Sequence, residues 1–253
     1  MLMNETFTLI IIAATFFLAG SVKGVIGLGL PTVSLGLLAA AFDLTTAMAL
    51  LLIPSFVTNI WQAVIGGNGK TILKRIWPFL CLATATIAIG ATALTTVNPL
   101  YLSILLGILL VAYSTLNILG FRLSISPHHE KWTGPILGTA NGVLTGMTGS
   151  FVVPGVMYLQ AIGLPRDMLV QAMGMLFSLS TIGLAFALQK NSLLNSELAT
   201  ISSLAVVPAI IGMVLGQKVR KSLSETKFRK VFFISIFILG VFIIVKAGFS
   251  LAL

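Results

Sequence analysis

Charge is scarce in this chain of 253 residues. Asp, Glu, Lys and Arg together make up 8% of it, about a third of the share usual in soluble domains. A water-facing surface needs roughly a quarter or more of its residues charged, so a soluble globular domain is excluded. Cysteine is nearly absent, and the single Cys81, in an apolar stretch, can neither close an intrachain disulfide nor build a thiolate metal cluster. The two histidines, His128 and His129, stand between Pro127 and Glu130, fit no H-E-x-x-H pattern and have no second ligand cluster. A solvated loop is the reading there, and neither a metal nor a cofactor is expected. No G-x-x-x-x-G-K-[ST] sequence is present, which excludes ATP hydrolysis by that route. The nucleophile, base or metal set of a membrane-embedded enzyme is missing as well, so the chain is read as a non-enzyme. Nor does an acid lie clearly inside an apolar run, since Asp43 and Asp167 open theirs, and a carboxylate proton relay is not evident.

Hydrophobicity is what the chain has, at 57% AVILMFWYC with a mean hydropathy of +1.09. About 20 apolar residues cross a bilayer core of about 30 Å. Apolar runs fall at 7–22, 30–42, 44–66, 76–96, 99–120, 132–148, 152–162, 168–189, 196–216 and 230–250. Most can span. The runs from Pro31 and from Pro154 are too short at ~1.5 Å per residue, and read as half-membrane helices. The start MLMNET has Glu5 and no basic residue, so the first run is expected to be retained rather than cleaved. Asn4, Glu5 and Thr6 match the glycosylation sequon, a weak signal in so short a tail.

Each short run follows a glycine-rich stretch, and the two stretches align: GSVKGVIGLGLP (Gly20 to Pro31) with GTANGVLTGMTGSFVVP (Gly138 to Pro154). Gly20 then matches Gly138, Gly24 matches Gly142, and Lys23 stands opposite Asn141. Downstream Asp43 pairs with Asp167, AMAL (Ala47 to Leu50) with AMGM (Ala172 to Met175), and Ser55 with Ser180. This is an internal duplication: a first repeat at 1–120, a polar linker at 121–131 and a second repeat at 132–253.

The net charge of +9 reflects basic residues in short loops, which set orientation and favour anionic lipid at the cytoplasmic face; no nucleic acid is implied. Parallel repeats would put Lys70, Lys74, Arg75, Arg122, Lys131 and Lys190 on one face, with Arg166, Lys218, Arg220, Lys221, Lys227, Arg229 and Lys230 on the other. With inverted repeats every one of these except Lys190 shares a face, as the positive-inside rule favours. The fold expected is therefore an all-α polytopic membrane protein with two inverted repeats and about 8–10 membrane helices. Each repeat has a glycine-broken hairpin, a long arm plus a half-membrane helix, followed by three transmembrane helices. Both termini are expected outside, with the linker Phe121 to Lys131 in the cytoplasm. A homodimer is left open.

A broken helix in hydrocarbon strands N–H and C=O groups at several kcal/mol each, unless protein or a polar cavity lies beside it. Two inverted breaks would aim two positive helix ends at one midplane region, an anion site by geometry. Lys23 is read as counter-charge to that anion, and Lys246 as a cation snorkelling near the outer end of its span. The candidate substrate-binding residues are Lys23, Gly24, Gly27 and Gly29 in the first stretch, and Asn141, Gly142, Thr145, Gly146, Thr148, Gly149 and Ser150 in the second. Ser55, Asn59, Gln171 and Ser180 on the following spans complete the set. The other reading of the glycines, as small-xxx-small faces for close helix packing, stays open here.

At the runs GVIGLGLP (Gly24 to Pro31) and GVLTGMTGSFVVP (Gly142 to Pro154) the sequence resembles the sulfite exporter TauE/SafE family of membrane transporters. The duplicated order of glycine run, short apolar stretch, Asp-led span and polar loop carries the resemblance over nearly the whole chain. Family members typically have a fuller GxGGG than the GLGLP and GMTGS found here. The resemblance implies movement of a small sulfur-containing anion, such as sulfite or sulfoacetate, across the bacterial plasma membrane. The expected function is thus a secondary transporter with alternating access to a midplane site. A passive anion channel and a transporter of a non-sulfur organic anion are the alternatives.

Overall fold

A computed structural model describes residues 5–121, 123–220 and 224–252; Asn4, Arg122 and Lys221 lie outside the described residues. All regular elements among them are helices. In chain order these are α1 (Glu5–Ile26), α2 (Leu30–Ala41), α3 (Leu44–Val64), α4 (Gly69–Ala85), α5 (Ile87–Ala91), α6 (Ala93–Thr96) and α7 (Pro99–Ile118). There follow α8 (Glu130–Thr148), α9 (Gly155–Ala161), α10 (Arg166–Lys190), α11 (Ser196–Leu204), α12 (Val206–Val219) and α13 (Glu225–Ala252). Seven helical stretches are long and apolar enough to cross a membrane, with α4 to α6 counted as one and α11 with α12 as another. The chain is an all-α polytopic membrane protein.

The short helices occur where the proline-started runs predict them, but the breaks before them are narrower than the glycine-rich stretches. Helix α1 continues through Gly20 and Gly24 to Ile26, and α8 through Gly138, Gly142 and Gly146 to Thr148. Only 27–29 and 149–154 are unwound. Glycines spaced by four form a smooth ridge that a neighbouring backbone can approach, so here they favour helix rather than end it. Within the breaks Gly27, Gly29 and Gly149 take φ of 80°, 107° and 73°, a region other residues enter at a cost.

Prolines and threonines shape the long helices. Pro208 has no N–H for the Leu204 carbonyl, and the stretch Ser196–Val219 is divided there into α11 and α12. At Thr86, between α4 and α5, the hydroxyl bonds the Leu82 carbonyl at 2.7 Å and the Thr139 carbonyl of α8 at 3.1 Å, competing with the regular ladder. Pro54 frees the Leu50 carbonyl inside α3, and the Ser202 hydroxyl of α11 donates to it at 2.8 Å. Asp43 starts α3: its carboxylate accepts from Thr46 N at 2.9 Å and from the Thr46 hydroxyl at 2.6 Å. Asp43→Ala should lower stability by about 0.5–2 kcal/mol, read as a fall of a few degrees in the melting temperature of the purified protein.

Packing repeats between the halves. α1 lies against α12, and α8 against α4 and α5; α3 pairs with α10 and α7 with α13. Exchanging the two halves leaves these pairings unchanged. A Cβ added to Gly24 would stand 2.2 Å from Met213 O, and one on Gly142 2.7 Å from Ala83 O, so both crossings are backbone to backbone.

Contacts between segments define two ends of the bundle. Arg75 of α4 pairs with Glu130 of α8 at 2.6 Å and donates to Ile162 O beyond α9 at 2.7 Å. Ile125 N bonds Ala161 O at 2.8 Å. These bonds gather the start of α4, the segment before α8, the end of α9 and the start of α10 at one end, which also carries Lys70, Lys74 and Lys131. At the far end Lys246 Nζ reaches Ala40 O of α2 at 2.8 Å. Lys246 thus caps the last turn of α2.

Candidate substrate site

Every acid of the chain stands at a helix start. Glu5, Glu130, Asp167 and Glu197 lie in first turns, Asp43 is an N-cap and Glu225 opens α13. There they complement the positive helix ends, and among the described side chains the interior of the bundle is left without a carboxylate. Lys23 lies in that interior, 5% exposed, in the last turn of α1.

Lys23 Nζ donates to Asn59 Oδ1 and, at 3.3 Å, to Thr58 Oγ1, both on α3. Thr58 uses its own proton on Pro54 O at 2.8 Å, which turns its lone pairs to the lysine. Asn59 Nδ2 donates to Ser55 Oγ at 3.0 Å, and Ser55 Oγ lies 3.3 Å from Thr181 Oγ1 of α10. A continuous polar chain therefore runs from α1 through α3 to α10. It ends at the crossing of the two central spans, where α3 is about halfway along its length.

Three buried polar atoms on α8 and α10 have no partner among the described residues: Asn141 Nδ2 on α8, and Ser178 Oγ and Ser180 Oγ on α10. An unpaired buried polar group costs about 1–3 kcal/mol. Asn141 is held in place because its Oδ1 accepts from Gly155 N, the first residue of α9, at 2.9 Å. The aligned positions Lys23 and Asn141 are both buried polar side chains beside a break, one cationic and one neutral.

The remaining candidates divide between two structural roles. Thr145 donates to Ser150 O at 2.9 Å, Thr148 donates to Leu144 O at 2.7 Å, and Ser150 N donates to Thr148 Oγ1 at 3.2 Å. These bonds fix the second break, with Gly149 against Met48 and Leu35 of the first half. Gly24, Gly142 and Gly146 sit at helix crossings, while Gly27 and Gly29 lie in the first break. Gln171 is not brought to the polar chain. Its Nε2 donates to Ala63 O at 2.9 Å and its Oε1 accepts from Asn68 N at 3.1 Å, at the basic end.

The central spans are joined differently at their two ends. At the basic end Gln62 of α3 also donates to Val170 O of α10, at 2.7 Å, and a Cβ on Gly174 would stand 2.6 Å from Ala63 N. Toward the far end an open, almost wholly apolar cavity of about 290 Å³ lies beside α3 and α10, lined by Ala49, Leu52 and Phe56 of α3, Thr181 and Ala185 of α10, and Leu194. Ser202 of α11 also lines it. Ser202 is outside the sequence-derived set. The signal that could have found it is Pro54, which frees a carbonyl in mid-span for a donor on another helix.

A family model described as sulfite exporter TauE/SafE matches residues 12–243. The chain belongs to the TauE/SafE family. With its seven apolar spans, this TauE/SafE protein is a multi-pass membrane protein of a transporter family. The match covers both breaks, the polar chain and this apolar cavity. No curated protein and no solved structure was found to match it significantly.

Proposed function

We propose that the protein is a secondary transporter for a small sulfur-containing anion, sulfite or an organosulfonate, bound between Lys23 and the unpaired donors of α8 and α10. The observation that carries this reading is Lys23: a buried cation, held by neutral acceptors, in an interior without a carboxylate. Such a charge costs several kcal/mol of desolvation, which an anion beside it offsets. Asn141, Ser178 and Ser180 supply donors that an oxyanion can accept from. The two halves are taken as inverted repeats, and the basic end as the cytoplasmic face of the bacterial plasma membrane. Both termini are then outside.

The contact between α3 and α10 supports a reading of alternating access. The amides of Gln62 and Gln171 close these spans at the basic end, and the apolar cavity lies beside them toward the far end. Releasing the amides while closing the cavity would expose the polar chain to the opposite side. For export, the membrane potential contributes about 2.3 kcal/mol per charge per 100 mV to an anion leaving a negative interior.

The test is reconstitution in vesicles with labelled sulfite, a sulfonate, sulfate and a carboxylate. Saturable uptake of the sulfur anions, accelerated by unlabelled anion on the opposite side, is the expected result. Flux that neither saturates nor shows counterflow would identify a channel, and the absence of flux for every anion would overturn the reading.

A further inference from the structure

The basic end holds a second cavity, of about 750 Å³, between α9, α13 and the segment that follows α7. Its chemistry has two parts. Arg229, Lys230 and Thr226 at the start of α13 give it two cations and a hydroxyl, while Leu116, Met157 and Phe233 give it apolar walls. Arg229 and Lys230 are exposed, and neither is in an ion pair among the described side chains. The guanidinium of Arg229 lies 6.0 Å from the centre of the Phe233 ring, which orients its fork without neutralising it.

We infer that this cavity is a binding site for an anionic phospholipid. A phosphate oxyanion matches a guanidinium and an ammonium side by side, since Arg offers two parallel donors and Lys a compact charge. The apolar walls require more than a free anion, because a small hydrated ion would leave Leu116, Met157 and Phe233 wet. An acyl chain covers them. The site also lies at the end of the spans, at the depth where a phosphate headgroup meets the hydrocarbon. α9 and α13, which form its walls, follow or abut the two breaks: α9 continues the second, and Phe232 of α13 touches Gly29 of the first. A bound lipid would brace both broken segments from one side, whether or not the substrate of the central site is a sulfur anion.

The full chain in detergent would be melted with phosphatidylglycerol, with phosphatidylcholine of the same acyl chains, and with inorganic phosphate. Phosphatidylglycerol alone should raise the melting temperature, and Arg229→Gln with Lys230→Gln should weaken its binding about tenfold. Lys70→Gln with Lys74→Gln, the same loss of charge at the same end, should leave the lipid effect intact. An unchanged phosphatidylglycerol shift in the Arg229 and Lys230 variant would overturn the proposal. Equal shifts with both lipids would also overturn it, as would a shift reproduced by inorganic phosphate. Because none of these readouts involves transport, failure here leaves the function of the central site unaffected.

Discussion

Lys23→Met should abolish saturable anion transport while the unliganded protein remains folded, with a melting temperature equal to or above that of the parent. The two effects have one cause. Lys23 is a buried charge held by Asn59 and Thr58, so an apolar side chain of similar length removes a desolvation cost of several kcal/mol, which exceeds the loss of about 1–3 kcal/mol from leaving Asn59 Oδ1 unpaired. Replacing a buried ion by a well-packed apolar group is often neutral or stabilising by about 1–4 kcal/mol, whereas an anion that loses its buried partner loses about 3–5 kcal/mol. The affinity for the transported anion should fall by about a hundredfold or more. Stabilisation by that anion, which follows RT ln(1 + [L]/Kd), should disappear over the concentrations that stabilise the parent. Transport and anion-dependent melting that matched the parent would remove Lys23 from the site.

Gly142→Leu should prevent assembly, with no monodisperse protein recovered from the membrane fraction, and Gly142→Ala should already cost about 1–3 kcal/mol. A Cβ at Gly142 would lie 2.1 Å from Thr86 Oγ1 and 2.7 Å from Ala83 O. Neither atom can withdraw: one belongs to a helix backbone, and the other is held by the Leu82 and Thr139 carbonyls. The equivalent Gly24→Ala should cost a similar amount, because the obstacle there is Met213 O at 2.2 Å. Gly67→Ala provides the contrast. Nothing lies within 4 Å of its added carbon, and only the φ of 72° opposes it, a strain of about 1 kcal/mol. Size-exclusion profiles and melting temperatures of the four variants would separate steric exclusion from backbone strain. Equal losses at Gly67 and Gly142 would refute the packing account.

Much of the architecture was legible because the bilayer permits so few solutions. The run from Pro31 to Phe42, twelve residues long, specifies a helix too short to span, and α2 is that helix. Asp43 marks a span start in the sequence and is the N-cap of α3 in the structure. The matched positions Ser55 and Ser180 lie at the centre, although Ser55 meets Thr181, the neighbour of its counterpart. A one-residue offset is within what two crossing helices absorb by rotation. The extent of the breaks was misjudged because glycine reads equally as helix breaker and as helix contact. The four-residue spacing of Gly20 and Gly24, and of Gly138, Gly142 and Gly146, is the helical signal. Gln171 was grouped with the site because a polar residue in an apolar span suggests a ligand. Its partners are the Ala63 carbonyl and Asn68 N–H, at the end of α3 and the turn beyond it, and their closeness depends on how α3 crosses α10. No pattern local to either segment carries that information.

The exchange of arms between the halves bears on which parts can travel together. α1 is seated backbone to backbone on α12, and α8 on α4 and α5, at separations too close for sliding. A displacement of the central spans would therefore carry α1 together with α12, and α8 together with α4 and α5. Under the proposed alternating access the units of motion are composites, each stitched from the beginning of one half of the chain and the later part of the other. Hinges then fall in the unwound stretches 27–29 and 149–154, which connect each arm to its short helix, and not in the linker that divides the sequence in two.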